Sequence, residues 1–402
     1  MRLLVLIFPL AMLLGGCQSM GAAFSNTVSG AIQLVTGGGS EQEPPRELVD
    51  IEPEIDIRTL WDDDIGSGDD DYQLDLTVAG DEETIYAASH DGEVAAWQTR
   101  TGEPVFEQEL DYPFSAGPGT GLDIIALGTS EAQVVALERS SGESLWTAEV
   151  SSAVAAPPVN DDGIVLVHTG DGAVFALDEH TGKELWSFGQ KVSSLTLRGA
   201  STPKVVDDTV LIGFSKGRMA AFRLHDGKVL WEKQLTVPTG VTELERIVDI
   251  DSEPAVKEGI LFVTAYNGGV IAASVLDGEV IWQNPEVVSR GNAALSWKYV
   301  FVTDVYGDVW GLDEATGRAY WKQTALHRRQ VTAPVAFGDY LAVGDYKGYV
   351  HVLAQEDGRQ VGRIRVCRSP IRTPPTVIGP FLAVYGSDGT VVILKIEARK
   401  HE

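Results

Sequence analysis

Cysteine is scarce: Cys17 and Cys367 are the only two in 402 residues. A chain this long can bury a core that holds without crosslinks. Cys367 stands alone and is expected to be a small buried hydrophobe, not a nucleophile. Basic charge is scarce as well. Thirty-one Lys and Arg face 58 Asp and Glu, for a net charge of −27. Such a surface repels phosphate backbones and excludes generic nucleic-acid binding. It also supplies no polybasic anchor for anionic lipid. The apolar stretch at the front, Leu3 to Leu14, is too short to span a bilayer.

Catalytic signatures are missing too. The chain has neither a His-Glu-x-x-His pair nor a glycine loop ending in Gly-Lys-Ser/Thr. The seven histidines show no metal-ligand spacing and are expected at the surface or in turns. Asp62, Asp63 and Asp64 read as a solvated acidic loop. Asp249, Asp251 and Glu253 alternate, but the calcium-loop spacing with its glycine is absent. No catalytic residue, metal site, cofactor or small-molecule substrate is therefore assigned. Extended helical periodicity is also lacking.

What is present begins at the N-terminus. Arg2 is followed by the apolar stretch and then by Leu14-Gly15-Gly16-Cys17. This pattern resembles a bacterial lipobox, in which small residues admit the chain to a peptidase cleft and the thiol is acylated. Residues 1–16 thus read as a signal peptide and Cys17 as the lipidation site. Gln18 follows, where lipoproteins of this type that carry a residue other than Asp are exported to the outer membrane. Residues 17–54 are small and polar, with Gly37-Gly38-Gly39-Ser40 and Pro44-Pro45, and are expected to form a flexible tether.

Beyond the tether the sequence repeats. Glycines at 92, 172, 217, 268, 307 and 348 are each followed by another ten residues on, and Gly142 belongs to the same series. Four residues after the second glycine stands a large aromatic: Phe106, Trp146, Trp186, Trp231, Trp282 and Trp321. Gly362 alone breaks the rule. Each unit holds β-branched runs separated by Asp-Gly and Thr-Gly turns, which provide the positive φ of tight hairpins. Four strands in about 40 residues mark a propeller blade. Residues 55–402 are accordingly expected to form an all-β, eight-bladed β-propeller of four-stranded antiparallel blades.

The last hairpin signal, Ser387-Asp388-Gly389, comes too late for a fourth strand to follow. Asp56 to Trp61 supplies the missing piece, so an N-terminal strand should close the ring and cover an open edge. One tryptophan per repeat at constant phase is expected to pack between blades.

Spacing also marks one surface. From each aromatic to the next hairpin glycine is normally 25–27 residues, but Trp186 to Gly217 takes 31 and Trp231 to Gly268 takes 37. Connectors of one kind emerge on one face, and long loops on rigid scaffolds are where binding resides. Leu195, Leu197 and Arg198 lie in the first, and Asp249 and Asp251 in the second. These five are the candidate partner-binding residues. The plain alternative puts the leucines in the core and the acids in solvent. The arginines at 363, 365, 368 and 372 are a second candidate surface.

The unit Asp-Gly-x-Val-x-Ala-Leu-Asp-x-x-Thr-Gly-x-x-x-Trp resembles the repeat of quinoprotein dehydrogenases. Those enzymes bind a quinone beneath an adjacent-cysteine disulfide, a pair this chain lacks. Joined to a lipobox and a tether, the repeat is similar to the BamB family, propeller lipoproteins of the outer-membrane β-barrel assembly machinery. The stretches 194–199 and 249–254 carry that resemblance most specifically. It implies a non-enzymatic scaffold on the periplasmic face of the outer membrane, assisting insertion of outer-membrane proteins. It further implies binding to the periplasmic POTRA domains of BamA through these two stretches. A quinone-dependent dehydrogenase-like propeller and an envelope sugar- or peptidoglycan-binding lipoprotein stay open as alternatives.

Overall fold

The computed structural model describes residues 43–69, 72, 74–189, 200–237 and 247–399. Among them are eight antiparallel blades of four strands, as the repeat implies. Blade three shows the pattern: Val159–Asp161, Ile164–His168, Val174–Asp178 and Glu184–Phe188, ordered from the channel outward. The two central strands are buried almost completely, whereas the outer strand alternates. That alternation places one side chain between blades and the next in water.

Each outer strand shifts register by one residue just before its docking position. The bulged residue is pushed outward: Leu60, Val105, Leu145, Leu185, Leu230, Ile281 and Tyr320 are all exposed. The following aromatic then turns into the gap between sheets. There it lies flat on the second glycine of the next blade. A Cβ on Gly182, for example, would come within 2.5 Å of the Trp146 ring. The indole N–H groups of Trp61, Trp146, Trp186, Trp231, Trp282 and Trp321 each donate to a backbone carbonyl of the following blade. Those carbonyls, at 2.7–3.0 Å, belong to Thr99, Glu179, Leu224, Val275, Glu314 and Gln355.

Ring closure follows the same rule. Ile55–Asp64 pairs antiparallel with Thr390–Ala398, from Ile55↔Ala398 to Asp64↔Thr390. It completes blade eight and brings Trp61 onto Gly102 of blade one.

Two features depart from the expectation. Asp75–Leu76 adds a short parallel strand inside blade two, against Phe114–Thr120, so that blade has five strands. The expected tether also extends too far. Residues 45–54 lie along the outer edge of blade seven, and the compact unit begins at Pro45. Glu54 N donates to Val361 O at 2.8 Å, and Arg363 reaches Val49 O at 3.2 Å. Leu48 packs against the core shared by blades six and seven. Arg46 N donates to His327 O at 3.0 Å, while Arg329 donates to Arg46 O at 3.1 Å. The apolar Leu48 and the well-placed carbonyls fix a segment that composition alone marks as loose.

The histidine expectation also needs correction at two positions. His168 and His351 are buried in strands. Burial lowers the pKa of both and keeps them neutral. His168 Nδ1 meets Ser201 O at 2.8 Å, and His351 Nε2 meets Asp345 at 3.0 Å. Burial alone would raise the Asp345 carboxyl, but bonds from His351 and Arg329 hold it below the usual range. Cys367 is buried as expected, and burial pushes its thiol up.

Candidate functional site

Antiparallel blades send their outer-to-inner connectors and their central hairpin turns to the same face. Backbone bonds tie the two kinds of loop together: Tyr266 N to Asp249 O, Val305 N to Val288 O, and Tyr346 N to Arg329 O. The described end of the second lengthened connector, at Asp249, lies on this face. Leu195, Leu197 and Arg198 lie outside the described residues, as does Cys17.

Asp249 and Asp251 occupy different environments. Asp249 is buried and bridges Ser215, and its carboxylate accepts the Lys216 amide at 3.1 Å. It shapes the turn between the long connectors and offers little surface of its own. Asp251 is half-buried and points into the central channel. Burial raises its carboxyl to about 7, with neighbouring Asp249 adding to the rise and Arg290 opposing it. Two residues apart on an extended segment, the pair does not act as one patch.

The channel is a cavity of about 740 Å³, lined by Asp75, Asp251, Glu253, Arg290 and Arg372 with small and apolar residues of the surrounding blades. Asp75 keeps open surface toward the channel but sits inside the ring of blades. That enclosure raises its carboxyl to about 6. Removal from bulk water thus holds both carboxyls above the usual carboxylate range.

Three of the four arginines of the second candidate surface are engaged within the chain, while Arg368 is exposed. Arg372 binds both Asp69 oxygens, at 2.7 and 2.6 Å, and Arg363 holds the strap. Arg365 caps the carbonyls of Lys347 and Cys367. These arginines tie loops together; spacing in sequence gave no sign of their partners.

Sequence reasoning missed a different set. On the connector face, Arg290 lies over the Tyr266 ring at 4.3 Å, Arg328 over Tyr306 at 5.9 Å, and Lys347 over Tyr346 at 5.5 Å. Each pair joins a connector or turn cation to a turn tyrosine. The recurring tyrosine after the central strand was the available signal.

The fold alone is shared with dehydrogenases. The crystal structure of a quinohemoprotein alcohol dehydrogenase from Comamonas testosteroni superposes with a TM-score of 0.66 at 12% identity, covering 86% of this chain and 78% of that one. A family model described as outer membrane protein assembly factor BamB matches residues 110–323. A Pseudomonas aeruginosa protein of that name is 45% identical over 366 residues, covering 91% of this chain and 96% of the relative. The chain belongs to the BamB family. The crystal structure of BamB from Moraxella catarrhalis agrees, with a TM-score of 0.75 at 26% identity over 84% of this chain and 99% of that one. The match to BamB relatives runs over nearly all of both chains. Within a BamB-type propeller the adjacent cysteines of the quinone enzymes have no counterpart here, since Cys17 and Cys367 stand apart.

Proposed function

We propose that the chain is a non-catalytic scaffold of the outer-membrane β-barrel assembly machinery, held on the periplasmic face by acylated Cys17. It binds the POTRA domains of BamA through its two long connectors and assists insertion of outer-membrane proteins. The observation that carries this reading is the 45% identity to an assembly factor over nearly all of both chains. The spacing of the repeats supports it, because connectors of one kind are expected on one face of a rigid ring, and long loops on such scaffolds are where binding resides. In the first loop, Leu195 and Leu197 are two apart and face the same way if the segment is extended. Arg198 adds a bidentate donor for a carboxylate or carbonyl.

The experiment is a pull-down of BamA with the triple variant Leu195→Ala, Leu197→Ala, Arg198→Ala, alongside thermal melts. Each central truncation should weaken binding by roughly 1–3 kcal/mol, as interface hot spots do. The melting temperature should stay near that of the parent, because blade packing is untouched. Full binding by the folded triple variant would overturn the assignment.

A further inference from the structure

At the junction of blades five and six the connector face is hollowed by a cavity of about 410 Å³. Its walls are the Tyr266 turn, Arg290 and Gly291 of the connector, the 303–307 turn and Gln330. We propose that this pocket receives a carboxylate side chain from an acidic segment of the partner protein, with Arg290 as the group that binds it. The inference deepens the proposed function and rests on it for the identity of the partner.

Three observations converge on Arg290. Its side chain is exposed, and its guanidinium is held over Tyr266. A guanidinium that meets a ring through its face can still offer its N–H edge to a carboxylate in a two-pronged bond. A guanidinium already held in place loses less freedom on binding than a loose one.

The acid on the pocket wall, Asp304, is engaged elsewhere. Asp304 accepts the amides of Tyr306 and Asp308 at 2.9 and 3.0 Å and the Trp310 indole at 2.9 Å. Lys322 sits 3.6 Å away and balances its charge. Asp251 lies on the channel side, where it and Arg290 both line the central cavity. On the pocket side, Arg290 thus faces an acid whose charge is already balanced, and its exposed side chain is the cation of that wall.

The surroundings select the ligand. Arg328 and Lys347 continue a cationic run from blade six to blade seven, on a chain whose net charge is −27. An acidic segment is attracted to this sector and repelled by most of the remaining surface. A concave pocket of side-chain dimensions fits an inserted residue better than a flat lipid surface. Tyr266 N bonds Asp249 O at 3.1 Å, so the pocket adjoins the long connector directly.

The test measures binding of purified BamA POTRA domains to the full mature chain in detergent, as a function of salt. Arg290→Ala should weaken binding about tenfold and Arg290→Glu about a hundredfold, with Arg290→Lys between them. The salt dependence should flatten in both charge-removing variants, and melting curves should match the parent. A polyglutamate peptide serves as a partner-independent arm, and it should bind the parent and not Arg290→Glu. Parental affinity of Arg290→Glu for both probes would overturn the pocket, even if the 195–198 triple variant loses BamA. Loss with Arg290→Glu but not with the triple variant would keep the pocket and reject the connector assignment. Selective loss of binding to phosphatidylglycerol vesicles, with POTRA and peptide binding intact, would also overturn it.

Discussion

Seven of the eight blade junctions are filled from one repeated position, and the eighth is filled from somewhere else. At the seven, an aromatic follows the outer-strand bulge and lies on the next blade's glycine. At the junction of blades seven and eight, Gly362 stands at that position. A Cβ there would meet the Ile55 and Ile57 side chains at 2.8–2.9 Å. Those isoleucines come from the closing strand and, with Val352, Ala354 and Val361, form a cluster of their own. The irregularity is therefore a consequence of closure. Blade eight has no second glycine for an indole to rest on, and its fourth strand brings in aliphatic side chains instead. Val361, the bulged residue of blade seven, is buried, unlike its seven exposed counterparts.

The comparison sharpens if each kind of junction is weakened in turn. Trp186 is buried and bonds Leu224 O at 2.7 Å, so Trp186→Ala leaves both a cavity and an unpaired carbonyl. A loss of about 3–5 kcal/mol is expected in denaturant melts. Ile55→Ala at the closing junction should cost about 2–4 kcal/mol, since it removes aliphatic volume only. An Ile55→Ala cost equal to or above that of Trp186→Ala would show that closure, not the repeat, limits stability.

The strap tests the same boundary with a smaller effect. Removal of residues 18–44 should leave the melting temperature unchanged, whereas extending the deletion to 54 should lower it. The longer cut uncovers Val361 and the core beneath Leu48, and leaves Arg329 and Arg363 without their strap carbonyls. Losing Leu48 alone corresponds to roughly 1.5–3 kcal/mol of apolar burial. Its exposed Glu54–Arg359 pair adds little, because water and salt screen it. Identical melting temperatures for the two truncations would mean that the strap docks without stabilising.

These elements also mark the limit of what the residues disclose in order. Blade number, docking register and ring closure were legible because each blade repeats one short-range pattern of glycine, turn and aromatic. The strap and the inner Asp75–Leu76 strand were not. Their partners lie far away in sequence, and neither repeats, so no period exposes them. The candidate site divides the same way. Loop lengths pointed to the connector face, but the burial of Asp249 depends on Ser215 and Lys216, more than thirty residues earlier. Arg290 was invisible because its tyrosine partner belongs to a neighbouring turn.

The smallest expected effect lies at the one aromatic junction that lacks an indole. Phe106 has no N–H to offer the Arg139 carbonyl, which holds the place that Glu179 or Leu224 holds in other blades. Tyr86, buried beside Phe106, takes over: its hydroxyl donates to Arg139 O at 3.2 Å and accepts from Arg139 Nε at 3.0 Å. Tyr86→Phe should therefore cost about 1–3 kcal/mol, the penalty for leaving a carbonyl unmet. Phe106→Trp alone should gain nothing, because the hydroxyl already fills the site and the larger ring crowds it. The double variant restores an indole donor where the hydroxyl was, and should recover part of the loss. A double-mutant cycle by chemical denaturation reads this as favourable coupling between the two positions. Strict additivity would mean that the indole bonds of the other six junctions contribute packing alone, with the hydrogen bond incidental.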